Sequence, residues 1–181
     1  MFRAATNENK QNATAWIVFL LLLVSIQGEM LWIDHQPMFF FGDSASYIWT
    51  AVTGWLPGDR SFVYGYFVRL VAITTQSLSS LIIVQVFLLM AASVMMAKLL
   101  MRFFQVRPWI AFTTALLTTL EPLQLLYTRY VMTETLALLI FSVYLWCVLQ
   151  YLAVPRIKWL FAIQCVATVM ISIRFAFIPM V

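Results

Sequence analysis

Residues 39–69 read FFFGDSASYIWTAVTGWLPGDRSFVYGYFVR, and how this stretch is read decides the fold. It holds Asp43, Asp59, Arg60 and Arg69, four of the eighteen charged residues in the chain (eleven basic, seven acidic). Ionised side chains at the centre of a bilayer each cost about 3 kcal/mol on insertion scales, so the stretch is not a span. Its Trp, Tyr and Phe content is too high for a solvated linker. A structured loop at the membrane interface satisfies both constraints, because amphipathic rings settle at headgroup depth. Within it Ile48, Ala51, Val52 and Trp55 recur at helical spacing, which predicts a short amphipathic helix with Asp43 as its N-cap.

The composition around this loop is 64% hydrophobic, 16% aromatic and 10% charged, against roughly 25% charged in an ordinary soluble domain. The fold class that follows is an all-α polytopic membrane protein forming a single transmembrane domain. The net charge of +4 comes from Lys and Arg placed singly beside apolar runs. That pattern is a topology signal and excludes a nucleic-acid partner; membrane lipids are the partners it implies. Cys147 and Cys165 both lie in apolar runs, where a thiol behaves as a small hydrophobe, and no disulfide framework is present. The run from Thr14 to Ile33 is long enough to cross a bilayer and has no cleavage site behind it, so it reads as a retained signal anchor. Residues 1–13 are expected to be a disordered cytoplasmic tail.

Residues 34–77 then form the outer interfacial loop. Its second part, 61–76, is short and carries Arg69 in its middle, which predicts an interfacial or re-entrant helix. Spans are expected over about 78–101 and 108–126. A polar knuckle over 127–134 follows, with Thr133 placed to cap a helix from Glu134 to about Ala153. After a turn at Pro155, Arg156 and Lys158, a last apolar run leads from Trp159 to Val181 with Arg174 inside it. The chain ends within that run, and the expectation is that it forms the N-terminal part of a longer protein.

Positive charge fixes the topology. With about five spans and the N-terminus inside, Arg3, Lys10, Lys98, Arg102, Arg107, Arg156 and Lys158 all fall on the cytoplasmic side. The same arrangement gathers Glu29, Asp34, His35, Asp43, Asp59, Arg60, Arg69, Glu121, Arg129, Glu134 and Arg174 on or near the outer face. The expected location is a bacterial inner membrane with the active face outward.

That outer clustering of acids and arginines is the functional signal. One histidine, His35, excludes a histidine-based triad or a His-rich metal site, and there is no Gly-rich phosphate loop. No cofactor is implied, although a divalent metal stays open. The planar fork of arginine suits a phosphate, and a partly desolvated carboxylate can take a proton from an attacking hydroxyl. Together they describe group transfer from a lipid-linked phosphate donor. A transporter or channel component and a non-enzymatic assembly protein are the alternatives. The five glycines give little support to broken transporter-type helices. Small residues such as Ala91, Ala92 and Ala97 would suit any helix bundle.

The order Gly42-Asp43-Ser44-Ala45-Ser46-Tyr47, then Asp59-Arg60-Ser61-Phe62-Val63-Tyr64, then Glu121-Pro122, Tyr127-Thr128-Arg129 and Thr133-Glu134 resembles membrane glycosyltransferases of the C-type fold. The nearest kind is the protein mannosyltransferase and aminoarabinose transferase group, which uses polyprenyl-phosphate sugars. The resemblance implies Asp43 as catalytic base. It implies Tyr47, Arg60, Tyr64, Arg129, Glu134 and Arg174 as substrate-binding residues, with a lipid-linked sugar as donor. Phe62 stands where the family's Arg-x-Pro-x-Tyr element has proline, and the family's additional spans and soluble domain have no counterpart in these residues. The topology is checked by replacing Cys147 and Cys165 with Ser and introducing Gly58→Cys or Gln105→Cys singly. An impermeant maleimide should label the two positions from opposite faces of the membrane, and labelling from one face overturns the assignment.

Overall fold

The computed structural model describes residues 2–58 and 60–174, with side chains from Ala13 onward. Asp59 and the end of the last apolar run lie outside the described residues. The protein is an all-helical polytopic membrane protein. Its helices are α1 (Phe2–Ile33), α2 (Asp43–Thr53), α3 (Phe62–Val68, continued by a π-helical turn Arg69–Ile73), α4 (Leu78–Phe103), α5 (Pro108–Leu120), α6 (Pro122–Tyr127), α7 (Glu134–Ala153) and α8 (Ile157–Ile173). By length and apolarity Ala13–Ile33, α4 and α7 each suffice to cross a membrane. At about 1.5 Å per residue, α5 and α8 are shorter than a bilayer core of about 30 Å.

Helices α1, α4, α5, α7 and α8 alternate in direction between two ends of a bundle. α4 packs against both α5 and α7, and α7 against α8. At one end Lys98 lies 6.0 Å over the Trp16 ring, and Arg102 lies 5.4 Å over Trp146. With its amide oxygen turned towards that guanidinium, Gln150 accepts from Arg102 Nε and Nη2 at 3.0 and 3.1 Å. The opposite end gathers α2, α3, the loop after α1 and the residues between α6 and α7. Close approach of the bundle rests on small residues: Ala92, Ala97, Ala111 and Ala115 are buried, and Ser93 Oγ donates to the Ala115 carbonyl at 2.9 Å. Ala91, grouped with them in the sequence, is exposed.

Several local expectations are corrected. Helix α1 is assigned from Phe2, ahead of the apolar run that begins near Thr14. The run 108–126 is broken at Glu121 (φ −59°, ψ 127°), because Pro122 pushes its predecessor out of the helical region. Thr133 flanks α7 without a side-chain cap, and Asp43 is the first helical residue of α2 rather than its cap. The chain enters α2 at Gly42, whose φ of +87° is readily adopted only by glycine.

The interfacial helix α2 buries Ser44, Tyr47, Thr50 and Ala51, whereas Val52 and Trp55 point outward. Tyr47, Ala51, Tyr64, Val68, Ala72, Leu81 and Val131 form one core, so residues 61–76 stay at one end of the bundle beside the start of α4, as an interfacial or re-entrant helix should. Arg69 is exposed on the π-helical turn that continues α3. Helices α2 and α3 meet at Gly65, where a Cβ would lie 2.4 Å from Thr50 Cγ2 and 2.6 Å from Thr50 Cβ. Gly65→Ala should therefore lower stability by about 1–3 kcal/mol through overpacking, despite a helix-propensity gain of up to about 1 kcal/mol. Thermal unfolding in detergent checks this. Adding Thr50→Ala should restore only part of the loss, because the Thr50 Cβ is itself too close.

Candidate functional site

Four segments converge on a cavity of about 210 Å³ lined by Asp43, Tyr47, Arg60, Ser61, Thr133, Glu134, Ile173 and Arg174. Backbone pairing between two loops sets their register. Met38 N–H donates to the Arg129 carbonyl (2.8 Å) and Val131 N–H to the Met38 carbonyl (3.1 Å). Ser44 Oγ reinforces this by accepting from Phe40 N–H (2.8 Å) and donating to the Val131 carbonyl (3.0 Å). α2 is thereby fixed beside the start of α7. Ser61 ties in the third and fourth segments: its hydroxyl caps α3 by accepting from Tyr64 N–H (3.4 Å) and donates to the Ser172 carbonyl at the end of α8 (2.6 Å).

Two ion pairs face the cavity. Arg60 Nη2 meets Asp43 Oδ1 at 2.7 Å, and Arg174 Nη1 meets Glu134 Oε1 at 2.9 Å. The four charges cancel. Neither pair uses all its hydrogen-bonding capacity, since Arg60 Nε and Glu134 Oε2 are buried without a hydrogen-bond partner among the described residues. The aromatic wall behind them is Tyr47, packed edge-on against Tyr64 with ring centroids 4.8 Å apart. Burial pushes the Tyr47 hydroxyl above the usual phenol range, and the Asp43 and Glu134 charges add to the rise. The Thr133 side chain, within hydrogen-bonding reach of the phenol, and the Arg60 charge act the other way. Burial likewise raises Tyr64, with Tyr47 and Glu134 contributing. Both tyrosines stay protonated at neutral pH, so a base in this cavity is a carboxylate.

Of the residues singled out in the sequence, Asp43, Tyr47, Arg60, Glu134 and Arg174 line the cavity. Tyr64 stands behind it in the core. Arg129 does not reach it: its guanidinium pairs with Asp34 and donates to the Met30 carbonyl at 2.9 Å. Neither Glu121 nor Glu134 is its partner. Ser61 and Thr133 are contributors whose signal was present, a serine or threonine just before a helix, but legible only as helix capping. Among the described residues no three His, Cys, Asp or Glu side chains converge as a metal-ligand cluster.

The fold and site define an all-helical membrane protein with a charge-balanced polar cavity at one end of its bundle. No family model, curated protein or solved structure matches the chain. The Arg129 clasp joins the end of α1 to the loop before α7 and is largely buried on the arginine side (15% exposed) but open on the Asp34 side (35%). Arg129→Ala should cost about 1–2 kcal/mol of stability, nearer the value for a charged hydrogen bond than for a fully buried pair. A double-mutant cycle with Asp34→Asn, read by thermal unfolding, should give a coupling of about 1 kcal/mol; zero coupling would remove the clasp from the stability account.

Proposed function

We propose that this cavity is the active site of a glycosyltransferase that moves a sugar from a polyprenyl-phosphate donor to an acceptor hydroxyl at the outer membrane face. The observation that carries the reading is the convergence of two carboxylate–guanidinium pairs on one cavity, with Arg60 Nε unpartnered. A sugar leaving from a phosphate leaves as a stable anion, so the leaving group needs cations and no acid. Only the acceptor hydroxyl needs a base.

In the proposed step the acceptor oxygen attacks the anomeric carbon from the side opposite the phosphate. The carbon–oxygen bond to phosphate breaks, and the electron pair leaves with the polyprenyl phosphate. The acceptor proton passes to an Asp43 carboxylate oxygen, so the configuration inverts and charge balances. Arg60 and Arg174 hold the donor phosphate through charge-assisted hydrogen bonds. Tyr47 and Thr133 offer hydroxyls to the sugar. Arg129 has no part in the clamp, being engaged with Asp34. The excess of Lys and Arg at the opposite end of the bundle favours an outward-facing cavity by the positive-inside rule.

A purely structural clasp at the same place makes different predictions. Asp43→Asn keeps the size of the side chain and Asp43 caps no helix, so the fold should survive while transfer falls by about two orders of magnitude. Arg60→Lys should weaken donor binding by about 1–3 kcal/mol because the fork geometry is lost. Sugar transfer from a labelled polyprenyl-phosphate sugar, measured in membranes at matched expression, decides; unchanged turnover in Asp43→Asn would sink the reading.

A further inference from the structure

A second cavity, of about 180 Å³, lies between α4, α5 and α7, apart from the ion-paired site. It is mostly apolar, but its polar wall is one-sided. The Ser93 and Thr118 hydroxyls both donate to the Ala115 carbonyl (2.9 and 2.8 Å). The Thr119 hydroxyl donates to the Leu116 carbonyl (2.8 Å), and that of Ser142 to the Leu138 carbonyl (2.9 Å). With those hydrogens used on backbone, the hydroxyls can offer the cavity only lone pairs. Gln124 adds a side-chain amide whose buried oxygen has no hydrogen-bond partner among the described residues.

Glu121 supplies the only formal charge in the lining. Unlike Asp34, Asp43 and Glu134, it has no ion-pair partner among the described residues. One of its oxygens accepts from Gln124 N–H at the start of α6 (3.0 Å), which leaves acceptor capacity on the carboxylate. An acceptor-rich wall carrying one negative charge above an apolar floor is complementary to a hydrogen-bond donor with a positive charge and a hydrocarbon tail. It repels an anion. The space is adequate, since a cavity of about 150 Å³ holds benzene.

We infer that this cavity binds an amphiphile with a primary ammonium head, the head on Glu121 and the chain running between α4 and α7. The same chemistry is presented by a free alkylamine and by the headgroup of an aminophospholipid. The inference does not depend on the transferase reading, because none of its residues lines the ion-paired cavity.

The test uses the full chain in a neutral sugar detergent, with n-hexylammonium, hexan-1-ol and sodium hexanoate as probes and thermal unfolding and calorimetric titration as readouts. Hexylammonium should bind saturably and raise the unfolding midpoint, hexanol more weakly, and hexanoate not at all. Glu121→Gln keeps an oxygen to accept from Gln124 N–H, so it should fold, and it should weaken hexylammonium about tenfold while leaving hexanol unchanged. Ser142→Leu, which fills the cavity, should abolish saturable binding of both. Nanodiscs with and without phosphatidylethanolamine separate the two sources. Phosphatidylethanolamine that competes with hexylammonium makes a lipid the occupant, and absence of competition leaves a free amine. Equal effects of all three probes, no saturable binding of any, or an unchanged preference for ammonium in Glu121→Gln would each overturn the proposal.

Discussion

Three of the arginines at one end of the bundle each meet a carboxylate from another segment. Arg129 takes Asp34, Arg60 takes Asp43 and Arg174 takes Glu134. The pairs therefore act as stitches. The first holds the end of α1 to the loop before α7, the second closes α2 over the entry to α3, and the third joins the start of α7 to the end of α8. The fourth arginine there, Arg69, is exposed and makes no salt bridge among the described residues.

The other end satisfies its cations differently. Lys98 and Arg102 lie over the rings of Trp16 and Trp146, and Arg102 also receives the Gln150 amide oxygen. Rings and amides stabilise a cation without offering a carboxylate to exchange. Placing most of the acids at one end thus does more than balance charge, because it confines to that end the groups that can trade one ionic partner for another. A cavity lined by such groups can admit a charged ligand without leaving an unpaired charge behind, which the aromatic end cannot do.

Much of the bundle was legible because lipid imposes a length and an apolarity on anything that crosses it. α7 runs from Glu134 to Ala153, as its sequence suggests, and residues 61–76 stay at one end because their arginine and shortness forbid a crossing. The helical spacing in α2 was legible, but which of its faces is buried was not, for a physical reason. In water an apolar stripe at helical spacing marks the buried side, but at a membrane surface the outward side is apolar as well, so Trp49, Val52 and Trp55 face out while the hydroxyls of Ser44 and Thr50 turn in. The partner of Arg129 was not legible, because the pairing of Met38 with Tyr130 that organises those loops is a backbone contact with no side-chain pattern to announce it. Glu134 with Arg174, by contrast, follows from antiparallel neighbours: the first residue of one helix must meet the residue that ends the next.

The ion pairing of Asp43 bears directly on the proposed chemistry. Asp43 Oδ1, held 2.7 Å from the Arg60 guanidinium, already has an acceptor site engaged and must let go of that contact to face an incoming hydroxyl. The pair rests on one guanidinium nitrogen, while Arg60 Nε is buried and unused. On the proposed reading, a phosphate arriving at the guanidinium would compete with Asp43 for Arg60 and free the carboxylate oxygen for the acceptor hydroxyl. Donor binding and the release of Asp43 from its ion pair are then the same event. The paired state balances the charges of the site while it is empty, and on the proposed reading the pair opens only when a donor phosphate takes the guanidinium.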